Sequence, residues 1–153
     1  MGWTELHKIC YEERPSVEHF GFLLNYLAVE EHQDEAKEQD KDGRTPMHLL
    51  LRHHPPLNVM TALLDAYPDV VYVQEYLKGY YPVHTACRAG NDVRVVRLLL
   101  ERNPEALNLR SKRAFCCLHG FTAMDMVKKL PEDHPDRDPL VILLQEYEWA
   151  FIE

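Results

Sequence analysis

Three histidines, His7, His48 and His84, recur at intervals of 41 and 36 residues. Imidazoles repeated in this way are candidate metal ligands, since histidine nitrogen is a common zinc donor. A second cluster, Cys116-Cys117-Leu118-His119, places two thiols and an imidazole side by side. Structural zinc takes four ligands in a tetrahedron, usually from spaced Cys-x-x-Cys or His-x-x-x-His pairs, and adjacent cysteines suit it poorly. Apolar packing of Ala114-Phe115-Cys116-Cys117-Leu118 in a long loop is preferred over a metal or redox role. Glu12-Glu13 and Glu30-Glu31 read as solvated charge rather than a paired-carboxylate site. The chain has only six glycines and no His-Glu-x-x-His motif, so neither a phosphate-cradling loop nor a zinc-hydrolase helix is present. No nucleophile stands beside a base. The expectation is a non-enzymatic protein with no catalytic residues, no metal and no cofactor.

Charge narrows the partner classes. The net charge is −8 but is unevenly placed. Residues 30–42 hold seven acids and two lysines, and residues 130–153 hold seven acids and one arginine. Residues 43–129 hold twelve basic and seven acidic residues. A basic middle between acidic ends lacks the contiguous positive footprint that nucleic-acid binding needs. No apolar run approaches the roughly 20 residues of a membrane span. Four cysteines are too sparse for a secreted disulfide scaffold, which points to an intracellular setting, cytoplasmic or nuclear.

An internal repeat positions these residues. Val59–Val70 aligns without a gap on Val95–Ala106 at an offset of 36, and Gly43–His48 aligns on Gly79–His84 at the same offset. The six-residue pattern returns as Gly2–His7 and Gly120–Asp125, each 41 residues from its neighbour. The unit is therefore about 36 residues, with insertions in the first and third intervals. In Gly43-Arg44-Thr45-Pro46-Met47-His48, Gly43 permits a positive φ, Thr45 caps a helix and Pro46 takes its first position. Tyr81 replaces the capping threonine before Pro82, at an expected cost of about 1 kcal/mol. Thr122 and Asp125 form a capping-box-like pair. Helices are predicted over 4–12, 16–29, 45–53, 57–66, 81–89, 92–102, 122–130 and 138–150. Gly90 is expected to end one helix and Pro55-Pro56 another. The acidic insertion Glu30–Asp42 is expected to extend the preceding helix and then become a solvated loop.

The Gly-x-Thr-Pro-Leu-His pattern followed by Val-Val-x-x-Leu-Leu resembles the ankyrin repeat. The resemblance implies an all-α solenoid of about four helix-turn-helix repeats joined by hairpin-like loops, in one domain (repeats approximately 1–39, 40–75, 76–116 and 117–153). It assigns structural roles to Gly43, Thr45, Pro46, Gly79, Pro82, Gly120 and Thr122. It also implies that His7, His48 and His84 bond backbone groups and tie neighbouring repeats.

The same resemblance implies a concave binding face. The residues after each turn glycine are Trp3, Arg44, Tyr80 and Phe121, and those late in each first helix are Tyr11, Arg52, Arg88 and Lys129. Tyr76 and Lys78 add to one hairpin tip beside Leu77. Aromatics and arginines are the types enriched at binding hot spots, although some of these aromatics could instead pack hairpin on hairpin. The expected function is a scaffold or adaptor that binds a protein or peptide with acidic and apolar groups. No nucleic acid is expected, and the chain should be a monomer unless it is part of a complex. Two alternatives are a structural subunit of a larger assembly, suggested by the apolar ending Tyr147–Ile152, and an ankyrin fragment of a longer protein.

Overall fold

The structure is a computed structural model that describes residues 2–112 and 120–150. Among them are nine α-helices and no strand. In chain order these are α1 (Glu5–Tyr11), α2 (Val17–Ala28), α3 (Glu30–Gln33), α4 (Pro46–Leu50), α5 (Leu57–Ala66), α6 (Pro82–Ala89), α7 (Val93–Arg102), α8 (Ala123–Lys128) and α9 (Arg137–Ala150). The first helices α1, α4, α6 and α8 lie side by side in one layer. The second helices α2, α5, α7 and α9 form the other. The two layers share one buried apolar cluster, to which the first helices give Leu6, Leu50 and Val83 and the second helices Leu23, Leu64 and Val96. This is the all-α solenoid of stacked helix pairs that was expected.

The helix starts follow the expected capping chemistry. Thr4, Thr45 and Thr122 accept the N–H of the third helical residue at 3.3, 3.5 and 3.3 Å. Tyr81 cannot do this, and the His84 N–H bonds the Tyr81 carbonyl at 3.0 Å instead. Pro46 and Pro82 open α4 and α6. Gly43 turns its hairpin at φ 77°, and a Cβ there would lie 2.6 Å from the Tyr76 ring. Gly90 ends α6 in the left-handed conformation, as expected.

Two local expectations are corrected. The second repeat's first helix ends on His54, which adopts φ 51° at the position matching Gly90, so Pro55-Pro56 follows the stop rather than making it. The acidic insertion does not extend α2. Val29 turns extended at ψ 116°, and α3 and a 3-10 turn over Asp34–Lys37 follow. Nor is it solvated throughout, because Ala36 and Asp40 are buried. The insertion near Cys116-Cys117 lies outside the described residues.

The histidines connect the units. In His7 and His48, Nδ1 faces the hydroxyl of the capping threonine, at 2.8 Å for both Thr4–His7 and Thr45–His48. Nδ1 also accepts the backbone N–H of Thr4, Thr45 or Tyr81 at 3.1–3.2 Å. Nε2 then lies 3.0, 3.2 and 2.9 Å from the carbonyls of Arg44, Tyr80 and Leu109 in the next hairpin. A carbonyl only accepts, so Nε2–H donates and the ring is neutral. Both nitrogens are engaged, which leaves none for a metal.

Burial pushes His48 down to about 4, against smaller upward contributions from its Tyr80 bond and nearby carboxylates. Burial also lowers His84. A histidine lowered on folding stabilises the native state fully above its unfolded value and loses that contribution as pH falls toward the folded one. Urea unfolding is therefore expected to weaken between about pH 6.5 and pH 4, by on the order of 3 kcal/mol from His48 alone. A His48→Gln variant should be less stable at pH 7.5 and show a shallower decline over that window. An unchanged slope would remove His48 as the titrating group.

Candidate partner-binding face

The hairpin loops are built on one device. The N–H groups of Asp40, Glu75 and Ser111 bond the carbonyls of Arg44, Tyr80 and Phe121 at 3.0, 3.0 and 2.9 Å. In return, the side chains of Asp40, Glu75 and Ser111 accept the N–H groups of Arg44, Tyr80 and Phe121, each at 2.9 Å. The residue after each turn glycine is thereby held by its backbone, and its side chain is presented at a fixed place. Glu75 additionally accepts the N–H groups of Leu77 at 2.9 Å and Lys78 at 2.7 Å. Asp40 also receives the Trp3 indole N–H at 2.9 Å. Burial alone would raise the Asp40 carboxyl, but the Arg44, Trp3 and Asp42 donors and the Arg44 charge hold it below the usual carboxylate range.

Neighbouring hairpins are joined by Tyr76 N–H to the Asp42 carbonyl at 2.7 Å and Lys112 N–H to the Lys78 carbonyl at 3.0 Å. Three of the named residues are partly engaged inside this stack. Tyr76 lies over Gly43, with its hydroxyl 3.5 Å from Gln39 Oε1. Trp3 packs on Tyr11 with ring centroids 4.7 Å apart. Arg44 bonds Asp40 at 3.2 Å and Asp42 at 2.8 Å. Their placement combines hairpin packing with partial exposure.

The other cations are different. Arg52, Lys78, Arg88 and Lys129 are exposed. Their side chains make no ion pair or hydrogen bond among the described residues. Each lies beside an aromatic ring or within the same groove. Arg52 stands 5.7 Å from the Tyr11 centroid, Lys78 5.8 Å from Tyr80 and Lys129 3.3 Å from Phe121. Arg44, Arg52, Lys78, Tyr80 and Arg88 line one groove of about 570 Å³, together with Glu75, Leu77, Thr85 and Ala89.

Thr85 and Ala89 were not singled out from the sequence. They stand one helical turn apart on α6 and flank Arg88, a helix-face signal that the emphasis on large side chains passed over. Glu75 was missed because Asp40, Glu75 and Ser111 precede their hairpin partners by 4, 5 and 10 residues, so no fixed spacing marks them.

A second recess of about 670 Å³ opens near the N-termini of α2, α5 and α7, lined by Val17, Phe20, Leu24, Pro56 and Leu57 among others. It is the larger of the two, but its arginine, Arg94, already pairs with Asp92 at 3.1 Å. It therefore offers shape without an available cation.

The chemistry of the inner face suits recognition. Guanidinium groups give paired bonds to carboxylates, and aromatic rings give large contact area at low entropy cost. The thiols of Cys10 and Cys87 are buried and pushed up, Cys87 to about 12, so they are protonated and poorly nucleophilic. Among the described residues no three His, Cys, Asp or Glu side chains gather in a way that could hold a metal ion.

Removing the Glu75 carboxylate strands three N–H groups at the hairpin tip. Glu75→Ala is expected to cost about 2–3 kcal/mol of stability. It should also speed hydrogen exchange at Leu77, Lys78 and Tyr80 while the α7 amides stay protected. Exchange that rises uniformly along the chain would point to general destabilisation instead.

Residues 78–112, from the third hairpin through α6 and α7, match the family model described as Ankyrin repeat. No curated protein matches the chain.

Proposed function

We infer that this chain, a solenoid of ankyrin repeats, is a non-enzymatic scaffold or adaptor whose concave face binds an acidic and partly apolar protein segment. The family membership supports protein binding in general. The choice of face rests on one observation: Arg52, Lys78 and Arg88 converge on a groove beside Tyr80, and the carboxylate in its lining, Glu75, is buried, bonded to backbone N–H groups and in no ion pair with them. A solenoid presents such residues once per repeat along an extended surface. No helix among the described residues is long and apolar enough to cross a membrane. The partner would meet the groove with carboxylates on the cations and apolar side chains on Leu77 and Tyr80.

Arg52→Glu combined with Arg88→Glu is expected to abolish capture of the partner from the source cell while leaving the helical circular dichroism unchanged. Tyr80→Ala should weaken capture by about 1–2 kcal/mol as a trimmed anchor. Retention of the same bound species by the double variant would move the site off this face.

A second reading, a structural subunit, draws support from α9. Leu140, Leu143 and Leu144 are buried, but Ile142 is 57% exposed and Trp149 74% exposed. Scattered apolar exposure is ordinary on monomers, so the reading needs an obligate assembly to stand. Light scattering of the purified chain is expected to give the mass of a monomer, and a stable oligomer dispersed by Trp149→Glu would favour the subunit reading.

A further inference from the structure

The unpaired cations on the inner face form a register as well as a patch. Arg52, Arg88 and Lys129 each follow the turn glycine of their repeat by nine residues. They stand at the same end of three successive units whose first helices are neighbours. Packed helices lie about 8–10 Å apart between axes, so the row offers one positive charge per step of that size. A linear partner must place one carboxylate per step on the side that faces this row.

Backbone geometry selects the conformation that can do this. A β-strand returns a side chain to the same face every second residue, about 6.6–6.8 Å apart, which is too short. A polyproline II helix has three residues per turn and rises about 3.1 Å per residue, so every third residue faces the same way at about 9.3 Å. An α-helix can match the step only every seventh residue, at about 10.5 Å, and is about 10–12 Å wide with its side chains. Rings stand beside two of these cations, Tyr11 at 5.7 Å from Arg52 and Phe121 at 3.3 Å from Lys129. A single extended chain sets a carboxylate on each cation with three residues per step, and the residues between can rest on the rings, whereas a helix needs seven residues per step. The half-buried rings of Tyr11 and Tyr80 supply the aromatic surface on which proline-rich polyproline II segments dock.

We propose that the concave face takes a polyproline II segment with a carboxylate at every third residue, one each on Arg52, Arg88 and Lys129. This rests on the concave-face reading above and adds the conformation and spacing of the partner.

The experiment uses three labelled peptides against the whole chain, read by fluorescence anisotropy at low and physiological salt. One has four Glu-Pro-Pro units. The second has the same composition with its four glutamates in a run. The third is an alanine-based helix with glutamate at every seventh position. The Glu-Pro-Pro peptide is expected to bind about tenfold more tightly than the other two, consistent with several aligned ion pairs of modest individual strength. The preference should shrink with salt and vanish in Arg88→Glu, whose fold is checked by circular dichroism.

Equal binding of the two proline peptides, tighter binding of the helical one, or no measurable binding of Glu-Pro-Pro at millimolar concentration overturns the register. A preference that survives Arg88→Glu also overturns it, by placing the peptide elsewhere. The concave-face reading has its own readout, because partner capture lost in the Arg52→Glu, Arg88→Glu variant leaves it standing whichever peptide wins.

Discussion

The neutral imidazole that sits between one repeat and the next is the constraint on which the rest of this molecule depends. His48 accepts at Nδ1 from the cap of its own helix and donates from Nε2 to the Tyr80 carbonyl of the following hairpin. His7 and His84 do the same for Arg44 and Leu109. A single ring thus satisfies a helix terminus that would otherwise be an unpaired donor and fixes where the next hairpin stands. The last repeat carries Asp125 at this place, and its carboxylate accepts the Thr122 N–H at 2.9 Å. An aspartate can close the cap, but it has no counterpart of the imidazole Nε2–H that bridges to the next hairpin.

The placement of charge follows from the same economy of hydrogen bonds. The central carboxylates Asp40 and Glu75 are buried and bonded to hairpin N–H groups. Their oxygens are committed to backbone N–H groups, so Arg52, Lys78 and Arg88 form no ion pair with Glu75 although it lines the same groove. Arg44 is the exception, since it lies close enough to Asp40 and Asp42 to pair with both. The contrast between Arg44 and Arg52 or Arg88 is thus set by the hairpin clamp. Residues of one type, at recurring positions, are divided between holding the scaffold and facing a partner.

Much of the scaffold could be read in the residues because its rules are local. Thr45-Pro46 and Gly90 state a helix start and stop within a few positions, and the offset of 36 repeats the statement. The elements that escaped depend on contacts between units. His54 adopts the left-handed conformation without being glycine or asparagine, and nothing in its type marks it. Asp40 sits in an acidic run that composition describes as solvated, yet Trp3 and Arg44 reach it from outside that run. The named inner-face residues were identified by position, but their division into engaged and unpaired groups depends on distances that no spacing encodes.

Why such a face would discriminate is a matter of rigidity. One exposed ion pair is worth only about 0–1 kcal/mol, so no single arginine here can select a partner. Several cations can do so only if their separation is fixed before binding, because each adjustment on contact costs ordering entropy. The imidazole bridges and the hairpin carboxylates supply that fixity through buried bonds that solvent and salt reach poorly. The weak surface charges therefore act together through the backbone that carries them. Selectivity lies in their spacing more than in the strength of any one of them.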